Sequence, residues 1–136
     1  MNKTWKRGAV YVIGPAIGRP LKVGRVVPGS SVEARLNALQ SGSPVKLRIF
    51  YVRDAEGDSA GMEALAHFHL KECRIHGEWF DCSVATAVAA INYSIDELRQ
   101  LDILSTRVKG TRIANARTRA KARRADAINE LKQLLS

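Results

Sequence analysis

Cysteine is scarce in this chain of 136 residues, and no long apolar run occurs. Two cysteines, Cys73 and Cys82, cannot build a disulfide framework, so we expect reduced thiols. The apolar runs are far shorter than the roughly 20 residues that a helix needs to cross a bilayer, so we expect no membrane partner. The first run ends at Gly14-Pro15, too early for a secretory signal. These absences indicate a cytoplasmic location.

Two kinds of catalytic motif are also missing. The histidines and cysteines in the middle of the chain show neither CxxC nor HxxxH spacing, which argues against a zinc site. No motif supports a serine or cysteine nucleophile, and neither Gly14-Pro15 nor Gly42-Ser43 forms a phosphate loop.

Positive charge is abundant but uneven. The net charge is +9, of which residues 1–106 contribute +2 (13 basic against 11 acidic) and residues 107–136 contribute +7 (9 against 2). A concentrated basic segment without interleaved aromatic residues is typical of contact with nucleic-acid phosphates rather than of base stacking. We expect it to anchor DNA non-specifically. The residues expected to contact the phosphates are eight of these nine, Arg107, Lys109, Arg112, Arg117, Arg119, Lys121, Arg123 and Arg124.

Hydrophobic periodicity predicts three strands with helices between and after them. The strands are expected at 9–13, 21–27 and 45–52, the first two as a hairpin. The helices are expected at 30–40, at 58–74, from Ser83 onward, and at 111–135. For the helix after Ser83 two alternatives stay open, a continuous helix or a break and restart at Ser94. We therefore expect an α+β fold over residues 1–104, a small three-stranded antiparallel sheet flanked by helices, and a basic helical tail over 105–136.

The second of these predicted helices has a polar stripe. Glu63 and His67 are four residues apart and share a face, and Arg74, seven residues further on, would lie close to the same stripe. A carboxylate, an imidazole and a guanidinium on one face can hold a metal, move a proton and grip a phosphate. A solvated helix surface is the alternative interpretation.

Several short motifs occur in a fixed order. They are Ala9-Val10-Tyr11, Lys22-Val23-Gly24, Arg35, Gln40 to Pro44, Glu63 with His67, and Gly77-Glu78-Trp79-Phe80. Taken together, residues 8–95 resemble the GIY-YIG nuclease superfamily, and specifically a branch common in phages and bacteria. In that branch the second triplet is of the Lys-Ile-Gly type and the domain ends in Gly-Glu-Trp-Phe. Nucleases of the founding type carry a tyrosine at the position of Lys22.

The resemblance implies a metal-dependent endonuclease that hydrolyses DNA phosphodiesters with one divalent ion, Mg²⁺ or Mn²⁺. It places the metal on Glu63, a phosphate contact on Arg35 and the base on Tyr11. A phenol has a pKa of about 10, so Tyr11 needs neighbouring cations such as Lys22 and Arg35 to act as a base near neutral pH. Lys22 could instead contact phosphate.

Three further assignments complete the expected site. His67 would relay protons, whereas Arg25 and Arg74 would contact nucleic acid. Trp79 and Phe80 are interpreted as core residues rather than as stacking platforms.

Two other functions fit the sequence. One is a DNA-binding module that keeps the fold without cleavage. The other is an interaction protein, including a homo-oligomer, that assembles through the apolar stripe of the last helix. That stripe, formed by Ile128, Leu131 and Leu135, could dock on the body of the protein or on another chain.

Overall fold

The computed structural model describes residues 3–109 and 116–135, with side chains described for residues 3–102 and 124–135. It has seven strands and four α-helices in an α+β arrangement within these residues. The strands are β1 (Thr4–Trp5), β2 (Ala9–Pro15), β3 (Leu21–Val26), β4 (Ser30–Ser31), β5 (Leu47–Asp54), β6 (Arg74–His76) and β7 (Trp79–Phe80). The helices are α1 (Val32–Ser41), α2 (Ser59–His69), α3 (Val84–Lys109) and α4 (Ala116–Leu135).

The main sheet is antiparallel and has the strand order β5-β2-β3-β7-β6. The three expected strands form its larger half, and their antiparallel pairing is confirmed. The expectation of only three strands is wrong, because β6 and β7 extend the sheet to five. These two strands have only three and two residues, too few to give a periodic pattern, and a turn at Gly77 (φ 55°) joins them. A separate two-stranded sheet pairs β1 with β4.

The helices cover both faces of the sheet, and the central strand β2 is therefore buried on both. Val10 and Val12 join a large core with α2 and α3, whereas Tyr11 and Ile13 pack on the opposite face with α1. Side chains alternate between the faces of a strand, so adjacent residues of β2 enter different cores. Tyr11 is thereby directed toward α1.

Caps fix where α1 and α2 begin. The hydroxyl of Ser31 accepts a hydrogen bond from the Ala34 amide at 3.1 Å, and the Asp58 carboxylate accepts one from the Gly61 amide at 2.9 Å. Serine and aspartate are both preferred at this position, because their side-chain oxygens accept from the free amides of the first turn. These caps therefore set the first turns of α1, which carries Arg35, and of α2, which carries Glu63.

One helix prediction is wrong in extent, and an alternative that the sequence left open is decided. The second predicted helix, α2, ends at His69 rather than near Arg74, because Leu70 enters the core and a 3₁₀ turn, Lys71–Cys73, leads into β6. The helix after Ser83 does not break at Ser94. The Ser94 hydroxyl is buried and donates to the Ala90 carbonyl at 2.6 Å, so it does not act as a cap.

The last helix, α4, packs on the body of the same chain. Ile128 is 6% exposed and belongs to the large core, and Leu131 packs against that core. Leu134 and Leu135 remain exposed. The sequence left open whether the apolar stripe docks on the body of the protein or on another chain. In the structure, Ile128 and Leu131 dock on the body of the same chain. The domain boundary at 104/105 stays a prediction, and the backbone of α3 continues through it.

Two expectations from the missing features can be compared with the fold. Cys73 and Cys82 are both free thiols. None of the helices within the described ranges has the length and apolarity needed to cross a bilayer.

Candidate active site

A cleft of about 840 Å³ opens beside strand β3. Its walls come from β2, β3, α1, α2 and the turn before β7. Five of the predicted site residues line it, namely Tyr11, Lys22, Arg25, Arg35 and Glu63. Glu78, Ser30, Ser31 and several apolar side chains complete the lining. Residues far apart in the sequence are thus brought to one concave surface, whereas His67 and Arg74 do not belong to the lining.

Tyr11 reaches the cleft across a residue that has no side chain. It pairs with Gly24 in the β2–β3 ladder, and a Cβ added to Gly24 would lie 2.5 Å from Cζ of the phenol ring. Such a distance is far inside van der Waals contact. The glycine that ends the second triplet is therefore required by the tyrosine that ends the first, which gives the two motifs one physical cause.

The phenol of Tyr11 is held in its neutral form. Burial raises its pKa to about 12, and the negative charges of Glu78 and Glu63 act in the same direction. Arg35 lowers the pKa of Tyr11, but by less than burial raises it. Lys22 does not supply the expected help, because its ammonium is paired with Glu78. A phenolate base would need cations that lower the pKa of Tyr11, and in this cleft burial raises that pKa by more than Arg35 lowers it.

Glu63 is a half-buried carboxylate on the α2 side of the cleft. Burial, followed by the charge of Glu78, raises its pKa to about 7, while Arg25, Lys22 and Arg35 act in the opposite direction. Ionised Glu63 is therefore under-compensated, and a divalent cation would supply the missing charge. Within residues 3–109 and 116–135, no group of three His, Cys, Asp or Glu side chains forms a metal site. A single carboxylate such as Glu63 fits Mg²⁺, because this ion takes one or two carboxylates and fills the rest of its shell with water and substrate oxygens.

Lys22 has a defined partner that the sequence analysis did not assign. Its Nζ lies 2.6 Å from Oε2 of Glu78 and 6.0 Å from the centroid of the Trp79 ring. The Gly-Glu-Trp-Phe motif contains Glu78, but its role depends on β7 pairing beside β3, and a two-residue strand gives no signal of that pairing. Glu78 is the functional residue that reasoning from sequence missed.

His67 contacts the backbone of β3 rather than the cleft. Its Nε2 donates to the carbonyl of Val23 at 2.7 Å, and its ring packs against Phe80 with centroids 5.0 Å apart. Burial lowers the pKa of His67, so the imidazole is neutral at physiological pH. Glu63 and His67 share α2 as expected, but the histidine fixes the strand that carries Lys22.

The remaining motif residues are placed away from the cleft lining. Arg74 lies on β6, is exposed, and donates from Nε to the carbonyl of Gly77 at 2.8 Å. Phe80 is fully buried, which confirms its interpretation as a core residue, and Trp79 is half-buried.

The predicted DNA anchor is only partly within the described side chains. Arg124 is described, and its guanidinium pairs with Asp58 at 3.0 Å and with Asp102. The backbone positions of Arg107 and Lys109 lie on α3, and those of Arg117, Arg119, Lys121 and Arg123 lie on α4. Their side chains, and the whole of Arg112, lie outside the described part of the structure. Arg124 thus has an intramolecular role that the charge count did not reveal.

Comparison with known proteins adds one finding. A model of the T5orf172 domain matches residues 8–94, a range that contains every residue lining the cleft. No curated protein and no solved structure gave a match.

Proposed function

Because the chain belongs to the T5orf172 domain family, we propose that it is a GIY-YIG-type endonuclease that hydrolyses DNA phosphodiester bonds in the cleft. The observation that carries this proposal is the convergence of a phenol, three cations and a carboxylate on one cleft, from β2, β3, α1 and α2. The ordered motifs predicted these residues as a group, and a random surface would not bring them together.

The cations of the cleft suit a phosphodiester. Hydrolysis needs positive charge at the non-bridging oxygens, because negative charge accumulates there as water attacks. Arg35 is suited to grip these oxygens because its planar guanidinium presents a fork of N–H donors. Arg25 and Lys22 line the same cleft and add positive charge beside it.

Glu63 is the residue that would hold a divalent ion, Mg²⁺ or Mn²⁺. When bound, such an ion polarises the phosphate and stabilises the leaving oxygen. The carboxylate contributes its charge to the cleft only when it is ionised, and its pKa of about 7 places that transition near neutral pH.

Tyr11 has a different role from that of a free phenolate. With a pKa of about 12, the hydroxyl stays protonated at neutral pH and can orient the attacking water through a hydrogen bond. The charge of Glu63 is one of the causes that raise this pKa, so neutralising that charge would lower it.

The test is conversion of supercoiled plasmid to nicked and linear forms with Mg²⁺ or Mn²⁺. We expect wild-type cleavage, and loss of at least about a hundredfold in rate for Glu63→Gln, since removing one electrostatic group at such a site typically costs that much. Glu72→Gln is the matched control, because Glu72 is an exposed carboxylate outside the cleft lining. Cleavage that survives Glu63→Gln would contradict the assigned site.

A second candidate is a phosphate-binding module without cleavage. Two observations favour it, the neutral phenol of Tyr11 and the engagement of Lys22 by Glu78. Wild-type protein that binds DNA but leaves plasmid intact with either metal would select this candidate. In either case the basic residues after Thr106 are proposed to anchor the DNA backbone.

A further inference from the structure

Glu78 lies in the cleft as the direct partner of one of its cations. The pair with Lys22 is not a chance meeting of two mobile surface side chains, because only 16% of the Lys22 side chain and 39% of the Glu78 side chain are exposed. Exposed pairs of long side chains rarely hold a fixed geometry, whereas partial burial restricts both partners.

The backbone also fixes this pair. Lys22 is the register partner of Trp79 in the β3–β7 ladder, and the amide of Val23 donates to the carbonyl of Glu78 at 3.0 Å. The turn at Gly77, with φ 55°, starts the strand at this point. The last two strands of the sheet therefore place Glu78 beside Lys22, and both side chains line the cleft.

We propose that Glu78 is a positioning residue. In the free protein it holds Lys22 in an ion pair, and when a phosphodiester binds, the phosphate replaces Glu78 as the partner of the lysine. The ammonium then exchanges a carboxylate oxygen for a phosphate oxygen, and no covalent bond changes. Lysine suits such an exchange because it is a compact charge with three donors on a flexible stem. The face of Trp79 keeps the ammonium beside the cleft during the exchange. This inference rests on the proposed function only in requiring that a phosphate enters the cleft.

The exchange gives the cleft selectivity. A lone anion must separate Lys22 from Glu78 and meets the repulsion of a second carboxylate, so it gains little. A phosphate that also reaches Arg25 and Arg35 recovers that cost through additional charge-assisted hydrogen bonds. Glu78 thus acts against weak or misplaced anions, and specificity commonly uses such a repulsive element.

The test measures binding of the dinucleoside monophosphate TpT, which carries one phosphodiester, to the full chain in EDTA. NMR titration of the backbone amides of Lys22 and Gly24 gives the dissociation constant. We expect Glu78→Gln to bind TpT about threefold to tenfold more tightly than wild type, because the competing charge is gone. Heteronuclear spectra of each variant establish that the fold is intact.

Two controls make the result specific. Asp81→Asn removes the same charge from an exposed pair with Arg19, outside the cleft lining, and should change the affinity less than about twofold. In a Lys22→Met background, Glu78→Gln should increase the affinity less than in wild type, because the exchange partner is missing and only the repulsion of the phosphate by the carboxylate is relieved. An unchanged or weaker affinity in Glu78→Gln, an equal gain in Asp81→Asn, or an undiminished gain without Lys22 would each overturn the proposal.

Failure of this proposal is distinguishable from failure of the proposed nuclease activity. The TpT experiment contains no metal and involves no cleavage, so a protein inactive on plasmid can still show a lysine-dependent gain in Glu78→Gln. Conversely, an active nuclease in which Glu78→Gln leaves TpT affinity unchanged would retain the first proposal and lose this one.

Discussion

Glu63 and Glu78 place two carboxylates around one cleft, and the folded protein has to accommodate both. Burial, and after it the charge of Glu78, raises the pKa of Glu63 from 4.5 to about 7. A carboxyl group whose pKa is raised by folding favours the folded state while it is protonated. That contribution is complete below pH 4.5 and is lost as the pH rises through 7. The folded protein is thus less stable at alkaline pH, where the buried Glu63 carboxylate is ionised.

Replacing Glu63 by glutamine should therefore stabilise the metal-free protein, but only at alkaline pH. We expect a gain of about 1–2 kcal/mol in the free energy of unfolding at pH 8.5, after allowing for solvent screening of a half-exposed group, and almost none at pH 4. Denaturant unfolding in EDTA at both pH values measures it. Glu72→Gln should show no such difference, and a gain equal at both pH values would contradict the electrostatic origin.

Gly24 makes the close approach of Tyr11 possible. Gly24→Ala should destabilise the protein by about 1–3 kcal/mol, because the added methyl group overlaps the phenol ring and the surrounding core is closely packed. Equilibrium denaturation measures the change. Gly42→Ala is the matched control, since its backbone φ is −101° and the nearest atom to a new Cβ is 3.9 Å away. Equal costs for the two substitutions would exclude the contact with Tyr11 as the cause.

Among the elements, α4 and α2 are linked by a charge network. Arg124 on α4 reaches Asp58, whose other carboxylate oxygen caps α2, and also Asp102 on α3. The side chains of Arg124 and Asp58 are only 22% and 16% exposed, so this pair is shielded more than ordinary surface pairs. The start of the helix that carries Glu63 is thus tied to the last helix.

Arg124→Met should loosen this link while keeping the aliphatic stem. We expect a loss of about 1–2 kcal/mol, because Asp58 would retain its capping bond but lose its counter-charge. Thermal unfolding and hydrogen exchange at the first turn of α2 would measure it. Arg99→Met removes an exposed arginine paired with Glu56 and Asp96 and should cost less. A larger effect for Arg99 would contradict the shielding argument.

Element length decided how much of the fold was predictable. The strands β2, β3 and β5 and the presence of all four helices follow from periodic apolar residues. By contrast, β6 and β7 are defined by pairing with distant residues, and local sequence does not encode such pairing. The end of α2 was missed because the polar stripe continues past His69, whereas the burial of Leu70 ends the helix.

The same reasoning explains the site predictions. Tyr11, Lys22, Arg35 and Glu63 were predictable because ordered motifs surround them, and Arg25 lies within the same segment as Lys22. The position of His67 outside the cleft lining was not predictable, because its spacing from Glu63 gives its helix face but not the carbonyl of Val23 opposite. Its role as a proton relay stays a prediction. Glu78 required knowledge of which strand lies beside β3.

For the molecule as a whole, the second half of α4 contributes to the core, through Ile128 and Leu131. A truncation after Thr106 would remove Ile128, which is buried with α2 and α3, and would therefore test stability as well as DNA binding. Substitution is the sharper way to test the anchor. Arg124 should be left unchanged, because its side chain already serves the fold.

Charge removal along the first half of α4 should weaken DNA binding without unfolding the protein. If four basic residues contact phosphates, replacing them by glutamine should make the slope of log K against log salt shallower by about 3.6. Fluorescence anisotropy with a labelled duplex at several salt concentrations measures the slope. The control replaces Lys46 and Arg48, near and on β5. An unchanged slope would exclude the anchor. The four substitutions are Arg117→Gln, Arg119→Gln, Lys121→Gln and Arg123→Gln.

The burial of Ile128 beside α2 and α3 has a consequence for biosynthesis. Strands β2 and β3 and helix α2 leave the ribosome long before residue 128 does. Until then, the nascent chain exposes the apolar surface that Ile128 and Leu131 later cover, so the core is completed only late in synthesis.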